Sequence, residues 1–295
     1  MVPVLFAVVV FVWGTTWIAI HLQLGVVPAE VSIFWRFSLA AAVLWGWLLV
    51  SGRVQRARWR DHRWFAALGL TLFSLNFMFM YAATQHVASG IVSVVFTMAT
   101  VFNALNQWAF MGRRPSARTL IGAALGIAGI AFLFAHDVLD VGLGSGTILG
   151  VLLAAGGSYC FSLGNLASLQ ATRSGIDLPN AVARGMLWGA ALLAAVALMR
   201  GYPFIVDWRP AYFLSLLYLA VPGSVIGFVA YLSLVARVGA DRAAYATVLF
   251  PVVALTISTL VEGYEWTLTA FIGLALVLAG NIVVFARWPG RRAAA

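Results

Sequence analysis

Apolar stretches and short polar connections alternate along the whole chain. Ten stretches fall at 3–23, 28–50, 64–84, 90–110, 119–135, 147–169, 179–199, 211–235, 243–261 and 267–286. A helix needs about 20 apolar residues to cross the hydrocarbon of a bilayer. Backbone groups in lipid must be satisfied within their own segment, so each stretch is predicted to be a transmembrane helix. The expected fold class is therefore all-α integral membrane, with ten transmembrane helices and no separate soluble domain.

Polar residues inside these stretches are few, and their spacing is informative. In the fourth stretch Ser93, Thr97, Thr100, Asn103 and Gln107 follow one another at three and four residues, which puts them on one helix face. Polar groups turned to lipid are costly, so this face is expected to meet the bundle interior or a wet cavity. The sixth stretch carries Ser158, Ser162 and Asn165 with Tyr159 beside them. The third supplies Asn76 and Tyr81, and the ninth Tyr245, Thr256 and Thr259. Two readings stay open for each residue: a polar, uncharged substrate pocket, or hydrogen bonds that merely join helices. Trp13 and Trp17 lie one turn apart in the first stretch and offer a ring wall, against which an aromatic substrate would stack. Core packing explains them equally.

Charge fixes an orientation. Only 9% of residues are charged, against about 25% in soluble domains. The net charge of +9 does not indicate nucleic acid, because the basic residues, all arginine, sit in connections and in the tail. Fourteen of them (Arg53, Arg56, Arg58, Arg60, Arg63, Arg113, Arg114, Arg118, Arg173, Arg237, Arg242, Arg287, Arg291 and Arg292) fall on one side. Arg200 and Arg209 fall on the other, with Glu30, Asp137, Asp140, Asp207, Glu262 and Glu265. The positive-inside rule then places both termini in the cytoplasm. The first stretch lacks a basic leader and a small-residue cleavage site, and is expected to be a retained helix. The lone Cys160 excludes an internal disulfide and thiolate metal sites, and the four histidines have no metal-ligand spacing. No metal or organic cofactor is implied.

The halves repeat. An offset of 150–151 residues places Tyr81 on Tyr231, Gly112 on Gly263 and Gly122 on Gly273. Five helices per half is an odd number, so the second half is expected to insert inverted relative to the first, as in alternating-access carriers with a midplane site between the halves.

Three segments carry a family resemblance: FVWGTTWIAI at 11–20, FWRFSLAAAVL at 34–44, and TVLFPVVALTISTLVEGYEWTLTAFIGLALVLAG at 247–280. They resemble the EamA repeats of the drug/metabolite transporter superfamily, one repeat at 1–136 and one at 147–287, followed by a basic cytoplasmic tail at 288–295. The first repeat departs from the pattern at Thr100 and Val101, where a proline would stand, and at Arg114, where a glutamate would stand. The resemblance implies a bacterial inner-membrane exporter of metabolites or drugs, and within the family it is nearest to exporters of aromatic and other neutral amino acids. The small-molecule substrate and the lipid bilayer are the expected partners.

Arg36 is the one charge deep in an apolar stretch. It either binds a substrate carboxylate through its fork or caps backbone carbonyls. No helix core holds an Asp or Glu, which argues against cationic substrates and a carboxylate proton relay and for a neutral or zwitterionic cargo. Intramembrane protease motifs are absent, so an enzyme is not expected, and a receptor would need neither repeat nor polar interior. Pro222, Gly223, Gly227 and Pro251 interrupt helices and are expected to act as hinges. The candidate substrate contacts are Trp17, Asn76, Tyr81, Thr97, Thr100, Asn103, Tyr159, Ser162, Asn165, Tyr245 and Thr256, with Arg36 for a carboxylate.

Overall fold

The computed structural model describes residues 2–112, 114–141, 146–238 and 245–285. Arg113, Arg242 and the basic tail lie outside these residues, as does the side chain of Tyr245. Every regular element described is helical: α1 (Val2–His21), α2 (Ala29–Val50), α3 (Trp59–Ala83), α4 (Ser89–Met111), α5 (Ala117–Val141), α6 (Gly146–Arg173), α7 (Leu178–Met199), α8 (210–238), α9 (Tyr245–Val261) and α10 (Leu268–Phe285). Among the described residues, α1 to α4 and α6 to α8 are long and apolar enough to cross a membrane, while α5, α9 and α10 hold shorter apolar helices.

Contacts between connections sort them into two ends. At one end the Gln55 N–H donates to Asn180 Oδ1 at 3.0 Å and Arg184 donates to the Gln55 carbonyl, which joins the α2–α3 connection to the start of α7. This is the end of Arg53, Arg56, Arg58, Arg60 and Arg63. At the other, Arg200 pairs with Glu30 at 2.8 Å, and Glu262 receives the Ser89 N–H at 3.1 Å beside His21. Consecutive helices therefore run antiparallel, with an Arg-rich end and an acid-rich end.

Three local features recur at the repeat spacing. First, α3 and α8 widen to π-type turns at Gly69–Leu75 and Leu219–Ile226. In each, a serine hydroxyl donates to the carbonyl five residues back: Ser74 to Gly69 at 2.9 Å and Ser224 to Leu219 at 2.8 Å. The loosened ladder accommodates Pro222, which has no N–H to give. Second, Gly112 and Gly263 follow α4 and α9 with φ of 68° and 70°, the left-handed conformation that glycine adopts without a Cβ clash. Third, α5 and α10 touch through glycines. A Cβ on Gly122 would lie 2.6 Å from the Gly280 carbonyl oxygen, and one on Gly129 equally close to that of Gly273. The order of these contacts makes the two helices antiparallel.

Gly185 and Gly189 of α7 are likewise used inside the chain. A Cβ on Gly69 would lie 2.6 Å from the Gly189 nitrogen, and one on Gly185 would strike Leu68 and Phe73. Pro251 sits inside α9, which runs unbroken from Tyr245 to Val261.

Candidate functional site

A cavity of about 540 Å³ is lined by residues of α1 to α10, most of them from α1, α3 and α4. Its most continuous polar wall comes from α4. Thr97, Thr100, Asn103 and Gln107 line it, whereas Ser93, at the top of the same stripe, is fully buried and bonded to its own helix. The α4 helix tightens midway: the N–H groups of Thr97, Met98 and Thr100 all reach carbonyls three residues back. Asn103 Oδ1 accepts from Asn165 Nδ2 at 3.2 Å, and both residues line the cavity, so α4 and α6 share this polar wall. One turn along α4, Asn106 donates to Ser162 at 2.8 Å behind the wall.

Rings make the rest of the lining. Trp17 meets Phe96 edge-on at 5.3 Å, Phe96 meets Phe161 at 4.7 Å, and Phe250 lies 6.1 Å from Phe96. Trp13 meets Tyr231 at 5.2 Å, and its Nε1–H donates to the Gly223 carbonyl at 3.2 Å. The two tyrosines related by the 150-residue offset are used unequally: Tyr231 lines the cavity, and Tyr81 does not.

Arg36 is the one charged residue among those lining the cavity. Its guanidinium lies over the Phe77 ring at 4.2 Å and near Phe37 at 5.1 Å. Nε faces Ser224 Oγ at 3.4 Å, the Tyr81 phenol is its other polar neighbour, and Nη1 has no hydrogen-bond partner. Asn76 lines the cavity with its Nδ2 given to the Leu72 carbonyl at 3.3 Å and its Oδ1 unpartnered. Trp17 Nε1 is unpartnered too.

The cavity thus gathers Trp17, Asn76, Thr97, Thr100, Asn103, Asn165, Arg36 and Gly223 from the sequence-derived candidates. Others lie elsewhere. Tyr81 is buried behind the wall and donates to Gln23. Ser162 is buried against Asn106. Tyr159 is exposed at the bundle surface with its ring on Phe102 at 5.5 Å. Thr256 is exposed and bonds its own helix at Val252. Trp13, Thr16, Phe77, Phe96, Phe161, Phe228, Tyr231 and Phe250 also line the cavity and were not singled out for it, apart from Trp13 as a ring wall. Nothing in the sequence separates such rings from those that face lipid.

The two ends of the cavity differ. Toward the Arg-rich end the lining runs out to Gln107, Thr119, Ser168 and Leu178. Toward the acid-rich end it stops at Ile20, Trp17, Phe96 and Phe250. Beyond these, Glu262 ties three helices together. It accepts from the Ser89 N–H, from Ser89 Oγ at 2.7 Å and from Ser258, and lies 3.1 Å from His21 Nδ1, while Ser258 Oγ accepts the Gly90 N–H at 2.8 Å. The carboxylate thereby caps the start of α4. Among the described residues no group of three His, Cys, Asp or Glu is placed to hold a metal.

The EamA-like transporter family model matches this chain twice, over residues 1–135 and 148–286. The chain is 30% identical to a probable terminal-alkyne amino-acid exporter of Streptantibioticus cattleyicolor, over 96% of its own length and 93% of the relative's. It is 29% identical to the uncharacterized inner membrane transporter YedA of Escherichia coli, over 90% and 86%, and 25% identical to the uncharacterized transporter YvbV of Bacillus subtilis, over 99% and 93%. A solved crystal structure with 20% identity superposes with a TM-score of 0.68 over 96% of this chain and 95% of that one, a likeness of fold.

Proposed function

This chain belongs to the EamA-like transporter family and is a multi-pass membrane transporter; on that footing we propose that it exports small neutral or zwitterionic metabolites, aromatic amino acids foremost, across the bacterial inner membrane by alternating access. The observation that carries this reading is the cavity itself: ring-walled, hydrogen-bonding along α4, and holding one guanidinium and no acid. A flat aromatic body finds edge and face contacts there. A cationic drug, the alternative cargo, would meet an uncompensated positive charge instead. Inner-membrane placement is supported by the relative YedA, and amino-acid cargo by the relative from Streptantibioticus cattleyicolor.

Ten membrane crossings in two inverted halves account for the recurrent features. The π-type turns, the left-handed glycines and the antiparallel glycine contacts between α5 and α10 are what a two-fold axis lying in the membrane plane would generate. The Arg-rich end then faces the cytoplasm, with both termini, and the cavity is open toward that side and shut at the other. Pro222, Gly223, Gly227 and Pro251 serve as hinges in this scheme. Pro251→Ala is expected to slow transport while leaving substrate affinity within about twofold, since a hinge shifts the rate of closure rather than the contacts made.

Liposomes holding the purified protein test the reading. Labelled phenylalanine should exchange across the membrane, and unlabelled neutral amino acids should compete with it. Exchange of no amino acid, with drugs or sugar derivatives moving instead, would overturn the cargo assignment.

A further inference from the structure

The cavity contains an electrical imbalance that packing does not explain. Arg36 is almost wholly buried, no carboxylate lines the cavity among the described residues, and its polar neighbours there are the Ser224 and Tyr81 hydroxyls. An isolated charge at membrane depth is costly unless compensated. A purely structural arginine would spend its donors on backbone carbonyls at a helix end. Arg184 does this, giving its nitrogens to the Asn180 and Gln55 carbonyls and the Asn180 side chain. Arg36 gives none of its described bonds to a carbonyl, and Nη1 is left without an acceptor. Its positive charge is held by the Phe77 and Phe37 rings, which stabilise a cation without neutralising it.

Two further residues of the cavity lining hold a buried polar atom without a partner: Asn76 Oδ1 and Trp17 Nε1. Leaving a buried donor or acceptor unpaired is costly, and with Arg36 Nη1 these atoms come from three different helices, α2, α3 and α1. The set is one cationic donor, one neutral donor and one acceptor. A lone carboxylate would use the donors and leave Asn76 idle. An amine would use Asn76 and be repelled by Arg36. An α-amino acid head group uses all three.

The geometry points to a head-group subsite for the α-carboxylate and α-ammonium of an amino acid, with Arg36 Nη1 and Trp17 Nε1 receiving the carboxylate and Asn76 Oδ1 receiving the ammonium. It rests on the carrier reading and deepens it. The subsite recognises what amino acids share, and the rings of Phe96, Phe161, Phe228 and Phe250 take the variable side chain. Phe77 lies against the guanidinium in this state, so binding entails a shift of that ring off Arg36.

A ligand series on the purified protein tests it. Labelled phenylalanine bound to the wild-type chain is competed with phenylalanine, phenethylamine (no carboxylate), 3-phenylpropionate (no ammonium) and phenylalanine amide (carboxylate neutralised). The expected result is that each of the three analogues competes at least about tenfold more weakly than phenylalanine, as loss of a charge-assisted hydrogen bond requires. Arg36→Lys is expected to weaken phenylalanine about tenfold and leave phenethylamine within about twofold, collapsing the gap between them. Asn76→Leu is expected to weaken phenylalanine but not 3-phenylpropionate. Phenethylamine competing as well as phenylalanine on the wild-type protein overturns the subsite, and that arm needs no variant to fold. Absence of phenylalanine binding overturns it as well. The carrier reading is judged separately: it fails only if liposomes show no solute flux, whereas flux of substrates lacking a head group would sink the subsite alone.

Discussion

Asn103 and Asn165 show how a few polar atoms on an apolar wall can be assigned. Their side chains meet at 3.2 Å on the cavity surface, and each still has amide capacity to offer a guest. Asn103→Leu is therefore expected to lower transport of phenylalanine by about tenfold, through lost polar contacts. Its effect on folding should be small, since an interhelical hydrogen bond in a membrane is worth about 0.6 kcal/mol on average. Tyr159→Phe and Thr256→Val are the matched controls: both side chains are exposed outside the cavity, and transport should stay within about twofold of wild type. Transport assays with thermal melts on the same preparations separate the two effects. The α4 stripe was legible in sequence because five polar residues at helical spacing define a face without further information. Tyr159 was not: it lies one residue from Ser158 and so about 100° around α6, and only the packing of α6 on α3 and α4 says which direction is inward. Arg36 was legible as an anomaly, but the Phe77 ring that lies nearest its guanidinium comes from α3, 41 residues away in sequence, and no local pattern encodes it.

Elements, rather than single residues, carry the recurrence between the two halves. The helix boundaries follow the apolar stretches within a few residues, because hydropathy and length decide them. The π-type turns were half legible. Pro222 announces a broken ladder in α8, whereas its counterpart in α3 contains no proline and is marked only by Gly69 and Ser74, which are ordinary helix residues elsewhere. The repeat offset singled out Gly122 and Gly273 but not what they pack against. The structure assigns Gly185 and Gly189 to α3, and Gly122 and Gly129 to α10. That assignment makes a stability prediction. Gly280→Leu would drive a side chain into the Gly122 carbonyl, 2.7 Å from where its Cβ must lie, with backbone on both sides of the contact. Overpacking of this kind costs about 1–3 kcal/mol or more. Melting of the purified variant should fall by several degrees, while Gly46→Ala, on α2 with open space around it, should leave melting unchanged.

At the scale of the whole molecule, the asymmetry between the two ends of the cavity is the property that the proposed alternating access would reverse. Closure at the acid-rich end rests on the Trp17, Phe96 and Phe250 rings and, beyond them, on Glu262 holding the start of α4 to the ends of α1 and α9. The helices tied there come from both stretches that the family model matches, so under the proposed mechanism the tie breaks whenever that end opens. Glu262→Ala removes an acceptor for the Ser89 N–H and hydroxyl and for Ser258, which should cost the closed state about 1–2 kcal/mol as a lost helix cap. By population-shift arithmetic, that is a roughly five- to thirtyfold gain for the oppositely opened state. The lone Cys160 makes this measurable, since Cys160→Ala gives a cysteine-free chain and Thr100→Cys places a reporter on the cavity wall. In sealed vesicles of defined orientation, an impermeant thiol reagent should label that cysteine faster from the Arg-rich side. Glu262→Ala should raise the labelling rate from the acid-rich side and lower it from the Arg-rich one. Equal rates with and without Glu262 would mean that the ring cluster alone holds that end shut.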